Sequence, residues 1–99
     1  MALPLLCWVI DGKVIAKDSL AGIVLQLGTR RLDVQLDAAL APLANVRLRL
    51  NYPGLGYDSG DLYGKVVGAE ERAGSRVYRI RLTSVDALDQ KVLESFLAG

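Results

Sequence analysis

Val46-Arg47-Leu48-Arg49-Leu50 alternates apolar and charged residues without a break, and Leu32-Asp33-Val34-Gln35-Leu36 does the same upstream. Successive side chains of a strand point to opposite faces, so a period of two gathers the leucines and valines on one side and the polar groups on the other. Both runs are predicted to be strands with one face in a core and one in water. Working outward, Tyr78, Ile80 and Leu82 alternate with Val77, Arg79 and Arg81. Residues 5–10 and 13–17 flank Asp11-Gly12, a dipeptide suited to a two-residue hairpin turn. Residues 22–27 and 62–69 complete the set, the second carrying Gly64 and Gly68, which suit the bend or bulge that closes a barrel. Six or seven strands are expected.

Short connections fall at Gly28-Thr29, Ala41-Pro42 and Ala73-Gly74-Ser75, whereas residues 51–61, with Pro53, Gly54, Gly56 and Gly60, form the longest loop. Strands punctuated in this way, with no helix between most of them, predict a mainly β, antiparallel sandwich or barrel. The last segment changes period. Val85, Leu88, Val92 and Phe96 recur at helical spacing, Leu93 and Leu97 widen the stripe, and Asp89, Lys91 and Glu94 fall on the other side. Ser84 or Asp86 can cap the first amides of this amphipathic helix, and Gly99 follows its last turn. A helix this short is not stable alone, so its stripe must be covered. The open end of its own barrel is the preferred cover; a partner chain is the other.

Ninety-nine residues, 52% apolar and 23% charged, make one globular domain, residues 1–99. Twelve basic against eleven acidic residues leave a net charge of +1, which gives no overall field for DNA or RNA. The absence of His removes the commonest general base and metal ligand, and the lone Cys7 removes disulfides and cysteine-rich zinc patterns. No metal, cofactor or enzymatic activity is therefore expected. Pro4, Asp11 and Lys13 keep the opening stretch short of the ~18 apolar residues that a membrane span needs. That stretch also lacks the basic start and small-residue cleavage site of a signal peptide, which points to the cytoplasm and a reduced Cys7 thiol.

Several motifs are weaker than they look. Gly54-Leu55-Gly56 has no third glycine ahead of a helix, Asp58-Ser59-Gly60-Asp61 lacks the ligand count of a calcium loop, and Ser19 and Ser59 have no His to activate them. Arg47, Arg49, Arg79 and Arg81 would form a basic ridge if their strands were neighbours; a solvated face balanced by nearby carboxylates is preferred. Tyr52, Leu55 and Tyr57, in the long loop, are candidate partner-binding anchors, or equally a lid folded back on the barrel.

Lys17-Asp18-Ser19-Leu20-Ala21-Gly22, leading into Ile-Val-Leu-Gln-Leu, resembles the second signature of the PilZ family, an acid or amide, any residue, Ser, two residues, Gly. The strand 46–50, the glycine-rich hairpin region, the strand 78–82 and the closing helix are similar to that family's order of elements. The resemblance implies a six-stranded PilZ-like antiparallel β-barrel closed by a helix, and a role in bacterial cyclic di-GMP signalling. It also implies a ligand site in which Lys17, Ser19 and Gly22 take the signature's positions. Members that bind the dinucleotide carry an arginine pair upstream of the signature, and here no Arg precedes Arg30. Lys13 and Lys17 are the upstream cations, and an ammonium does not reproduce a two-point guanidinium fork. Lys17 also replaces the family's acid or amide, so only Ser19 and Gly22 match. Residues ahead of Met1 in a longer chain would be the remaining source of the arginines. The resulting expectation is a protein-interaction adaptor for another signalling or motility protein, with cyclic di-GMP not favoured as a ligand. The alternative is a divergent cyclic di-GMP receptor in which Arg30 or Arg31 joins Lys17, Ser19 and Gly22; a homo-oligomer packed through the terminal helix is a third arrangement.

Overall fold

A computed structural model describes residues 3–52 and 54–98. Met1, Pro53 and Gly99, the last read above as the helix stop, lie outside the described residues. The strands are β1 (Leu3–Asp11), β2 (Val14–Ile15), β3 (Leu20–Leu27), β4 (Arg31–Leu36), β5 (Asn45–Tyr52), β6 (Tyr57–Asp58), β7 (Leu62–Arg72) and β8 (Ser75–Ser84), followed by helix α1 (Ala87–Ala98). Six of them close an antiparallel barrel in the order β1-β3-β4-β8-β7-β5, and β5 returns to β1 in a register running from Leu5↔Leu50 to Ile10↔Asn45. The two-residue strands β2 and β6 are appended to β1 and β5.

The period-two runs do what their alternation predicts. Val46, Leu48 and Leu50 from β5, Leu32, Val34 and Leu36 from β4, and Tyr78 and Ile80 from β8 meet Leu3, Leu5, Cys7, Val24, Leu62 and Val66 in one core. Each such side chain, fully buried, contributes roughly 1.5–3 kcal/mol. The β7–β8 register shifts beside Gly64 and again at Val66/Gly68, so both glycines mark irregularities that curve the wall. A Cβ on Gly64 would lie 2.6 Å from Ile80 Cγ2, which leaves no room for a side chain at that crossing.

Two local expectations are corrected. The first hairpin turns at Gly12-Lys13, not Asp11-Gly12, because Asp11 pairs with Val14 and Gly12 takes the positive φ of 61° that the first position of a tight turn requires. The loop at 51–61 is partly strand: β5 continues to Tyr52, and Tyr57-Asp58 folds back against Asn51 and Tyr52. Ser59 fastens it by donating its backbone amide to the Leu50 carbonyl (2.8 Å) and accepting the Leu50 amide on its hydroxyl (2.8 Å).

Helix α1 lies on its own barrel, as preferred. Leu93 is buried, Val85, Val92 and Phe96 pack on the core, and Phe96 meets Tyr52 edge-on at 5.2 Å between ring centres. Asp86, not Ser84, is the cap, accepting the Asp89 amide at 2.8 Å. The stripe itself is rotated from the expected one: Leu88 is 62% exposed, Leu97 is exposed too, and Asp89, placed by its charge on the polar side, is 3% exposed. Val85, Val92, Leu93 and Phe96 of the expected stripe are thus covered by the barrel, while Leu88 and Leu97 are not.

Candidate functional site

Lys17 and Ser19 are exposed in the connection between β2 and β3, while Gly22 sits within β3, paired with Leu5 on one side and Leu36 on the other. A Cβ on Gly22 would stand 2.7 Å from the Gln35 carbonyl oxygen, so the close approach of β4 requires glycine here whether or not a ligand binds. Arg30 and Arg31 lie beyond the far end of β3, whose eight residues separate them from Ser19 by roughly 26 Å at the usual strand rise. They do not join Lys17, Ser19 and Gly22 in one site.

The more developed surface is on the outer wall of β1 and β5. With Leu5 and Cys7 facing inward, the pleat turns Leu6 and Trp8 outward, opposite Arg49 and Arg47 of β5. Trp8 is nevertheless only 9% exposed, because the Arg47 guanidinium lies 4.5 Å and that of Arg49 5.3 Å from its ring centre. Asp61 accepts a 2.7 Å hydrogen bond from Arg49 Nε and lies 3.8 Å from Arg47 Nε, which is enclosed and donates to no oxygen. Asp61 holds the Arg49 guanidinium above its ordinary pKa, first by that hydrogen bond and then by its charge. Beside this cluster Leu6 and Ile23 are each 41% exposed. A groove of about 510 Å³ runs from Pro4, Leu6 and Gly22 to Arg49, Ser59 and Asp61.

The basic ridge does not form, because β7 lies between β5 and β8. Arg79 pairs instead with Asp33 at 3.5 Å, and Arg72 with Asp33 at 4.0 Å and with Glu70. Carboxylates balance Arg47, Arg49 and Arg79, as preferred from the composition.

Of the loop aromatics, Tyr52 is corrected from a candidate anchor to a core residue, 2% exposed at the end of β5, where a partner cannot reach it. Burial, then the charges of Asp89 and Tyr57, pushes its phenol up to about 12. Tyr57 is half-buried and donates a 2.8 Å hydrogen bond to Asp89 of α1, which raises the Tyr57 pKa; Asp89 also accepts the Gly60 amide. These two tyrosines therefore form the lid, and Leu55 alone of the three stays exposed. Sequence reasoning missed Trp8 because it lies in an apolar run. The available signal was parity, since the alternation that puts Leu5 and Cys7 inside puts Trp8 outside. Among the described residues, no group of three or more His, Cys, Asp or Glu side chains is placed to hold a metal ion.

No family model matches the sequence, and no curated protein matches it. Among solved structures it is similar to the crystal structure of the PilZ domain of CeSA from a cellulose-synthesizing bacterium, with a TM-score of 0.61 over 100% of this chain and 92% of that one, at 16% identity. The fold is PilZ-like. Among the described residues, no helix is long and apolar enough to cross a membrane.

Proposed function

We propose that this chain is a non-enzymatic PilZ-like module of bacterial cyclic di-GMP signalling that acts in the cytoplasm as an adaptor, docking on another signalling or motility protein. The observation that carries the reading is Trp8, turned outward beneath Arg47 and Arg49 with Leu6 and Ile23 exposed beside it. Tryptophan and arginine are the residue types most enriched where partner binding is strongest, and apolar neighbours supply the dry surround they need. Leu55, exposed in the β5–β6 turn, is a separate apolar contact point in place of the three-residue anchor expected there.

The nucleotide side of the reading rests on charge. Each charge-assisted bond is worth about 1.5–3 kcal/mol, so a site without its arginine pair falls from micromolar towards millimolar affinity. Titration calorimetry with cyclic di-GMP is expected to give no saturable heat below about 100 μM ligand. Saturation at low micromolar concentration would overturn the adaptor reading.

The groove beside Gly22 favours one alternative, a divergent receptor that seats the dinucleotide between Pro4, Leu6, Gly22 and Arg49, with Lys17 and Ser19 in the connection that leads into β3. On that reading Lys17→Ala and Arg49→Ala both weaken binding. Unchanged affinity in both variants would exclude it.

A further inference from the structure

A second cluster of cations lies on the opposite part of the wall, and its charges are unbalanced. The β4–β8 register sets Arg31 directly opposite Arg81, and the β7–β8 register sets Lys65 opposite the other side of Arg81. Three positive side chains thus occupy one row across three adjacent strands, on the outward parity of each. Like charges directly opposite each other weaken a sheet, by some tenths of a kcal/mol to about 1 kcal/mol per pair. Arg30 adds a fourth cation at the tip of the β3–β4 hairpin, where its carbonyl accepts the Leu82 amide at 2.7 Å and so ties that tip to β8.

Among the described residues, no carboxylate comes within 4.0 Å of the charged groups of Arg30, Arg31, Arg81 or Lys65, whereas Arg47, Arg49, Arg72 and Arg79 each have one. The acids that share a groove or cleft with these arginines are engaged elsewhere. Asp33 faces Arg79 and Arg72, and Glu94, across the adjoining cleft from Arg30, accepts the Gln90 side-chain amide. Between the hairpin and β8 lies an open groove of about 510 Å³, lined by Gln26, Gly28, Arg30, Arg31, Asp33 and Arg81 among others.

We propose that this groove is a phosphate-binding site, in which Arg31 and Arg81 grip the phosphate group of a small soluble molecule and Arg30 closes on it from the hairpin tip. A guanidinium fork matches phosphate oxygens in two-point fashion, and a phosphate monoester brings nearly two negative charges to a row that lacks any. Gln26 donates or accepts at the groove's edge, and Lys65 strengthens the field without lining the groove. The site is separate from the Trp8 surface and stands whether or not that surface docks a protein.

The test is thermal unfolding at pH 7.5, comparing inorganic phosphate with sodium chloride at matched ionic strength, so that screening is held constant. Phosphate at ten times its dissociation constant is expected to raise the midpoint of the native chain by at least about 4 °C over chloride. Arg81→Gln and Arg31→Gln are each expected to lose most of that rise. Arg76→Gln, which removes one positive charge elsewhere on β8, is expected to keep it. Equal midpoints in phosphate and chloride for the native chain would overturn the proposal, as would a phosphate response in Arg81→Gln as large as the native one.

Discussion

At the scale of single residues, groups held by the fold are distinct from groups free for a ligand. Gly22 matches a ligand signature, yet the Gln35 carbonyl stands where its Cβ would be. Gly22→Ala is therefore expected to lower stability by about 1–3 kcal/mol in urea unfolding, with no nucleotide present. Ala73 is strained in the opposite sense: it holds φ 50° beside Gly74 at 82° in the β7–β8 turn, a shape that Asn-Gly adopts at less cost. Ala73→Asn is expected to stabilise by about 0.5–1 kcal/mol in the same assay. Burial pushes the Cys7 thiol from 9.0 up to about 11, as it pushes Tyr52 from 10.0 up to about 12. A neutral acid whose pKa rises on folding contributes its full stability below the unfolded value and loses it as pH climbs through the folded one. Since the chain has no His, stability is expected to be nearly level around neutrality and to decline from about pH 9 as the unfolded thiol ionises. In Cys7→Ala the decline is expected to start later, near the ordinary tyrosine value of 10.0.

At the scale of elements, the joint between α1 and the β5–β6 hairpin is the least conventional part of the molecule. Asp89 sits on the buried side of an otherwise apolar contact because Tyr57 and the Gly60 amide supply its hydrogen bonds. Asp89→Ala removes both partners' acceptor and is expected to cost about 2–4 kcal/mol; Tyr57→Phe, which removes one neutral donor, about 1 kcal/mol. Hydrogen exchange in α1 is expected to quicken in the same order. The helix itself was legible from the spacing of Val85, Val92 and Phe96, but its rotation was not. Periodicity assigns charge to the wet side by default, and Asp89 escapes that rule only through Tyr57, thirty-two residues away. The strands at 32–36 and 46–50 were legible for the converse reason, since strict alternation leaves one register with an apolar inner face. The small hairpin β5–β6 hid behind Gly54 and Gly56, residues that signal a turn without saying how short it is.

At the scale of the whole molecule, a net charge of +1 conceals a partition that only the strand order reveals. Placing β7 between β5 and β8 sends Arg47 and Arg49 to Asp61 and Trp8, sends Arg79 to Asp33, and leaves Arg31, Arg81 and Lys65 in a row of their own. An antiparallel sandwich or barrel was readable from strand count and turn chemistry and the resemblance selected the barrel, whereas the neighbours across it were not readable, because nothing local in the chain states which strands pair at long range. The same topology keeps the exposed pair Lys17 and Ser19 at one end of β3 and Arg30 and Arg31 at the other, so these two arginines do not join the residues at the signature's positions. The direct measurement is a heteronuclear NMR titration of the labelled chain with cyclic di-GMP, followed at the amides of Lys17, Ser19 and Gly22. These resonances are expected to stay in place up to about 100 μM ligand; saturable shifts there with a low-micromolar midpoint would contradict the account.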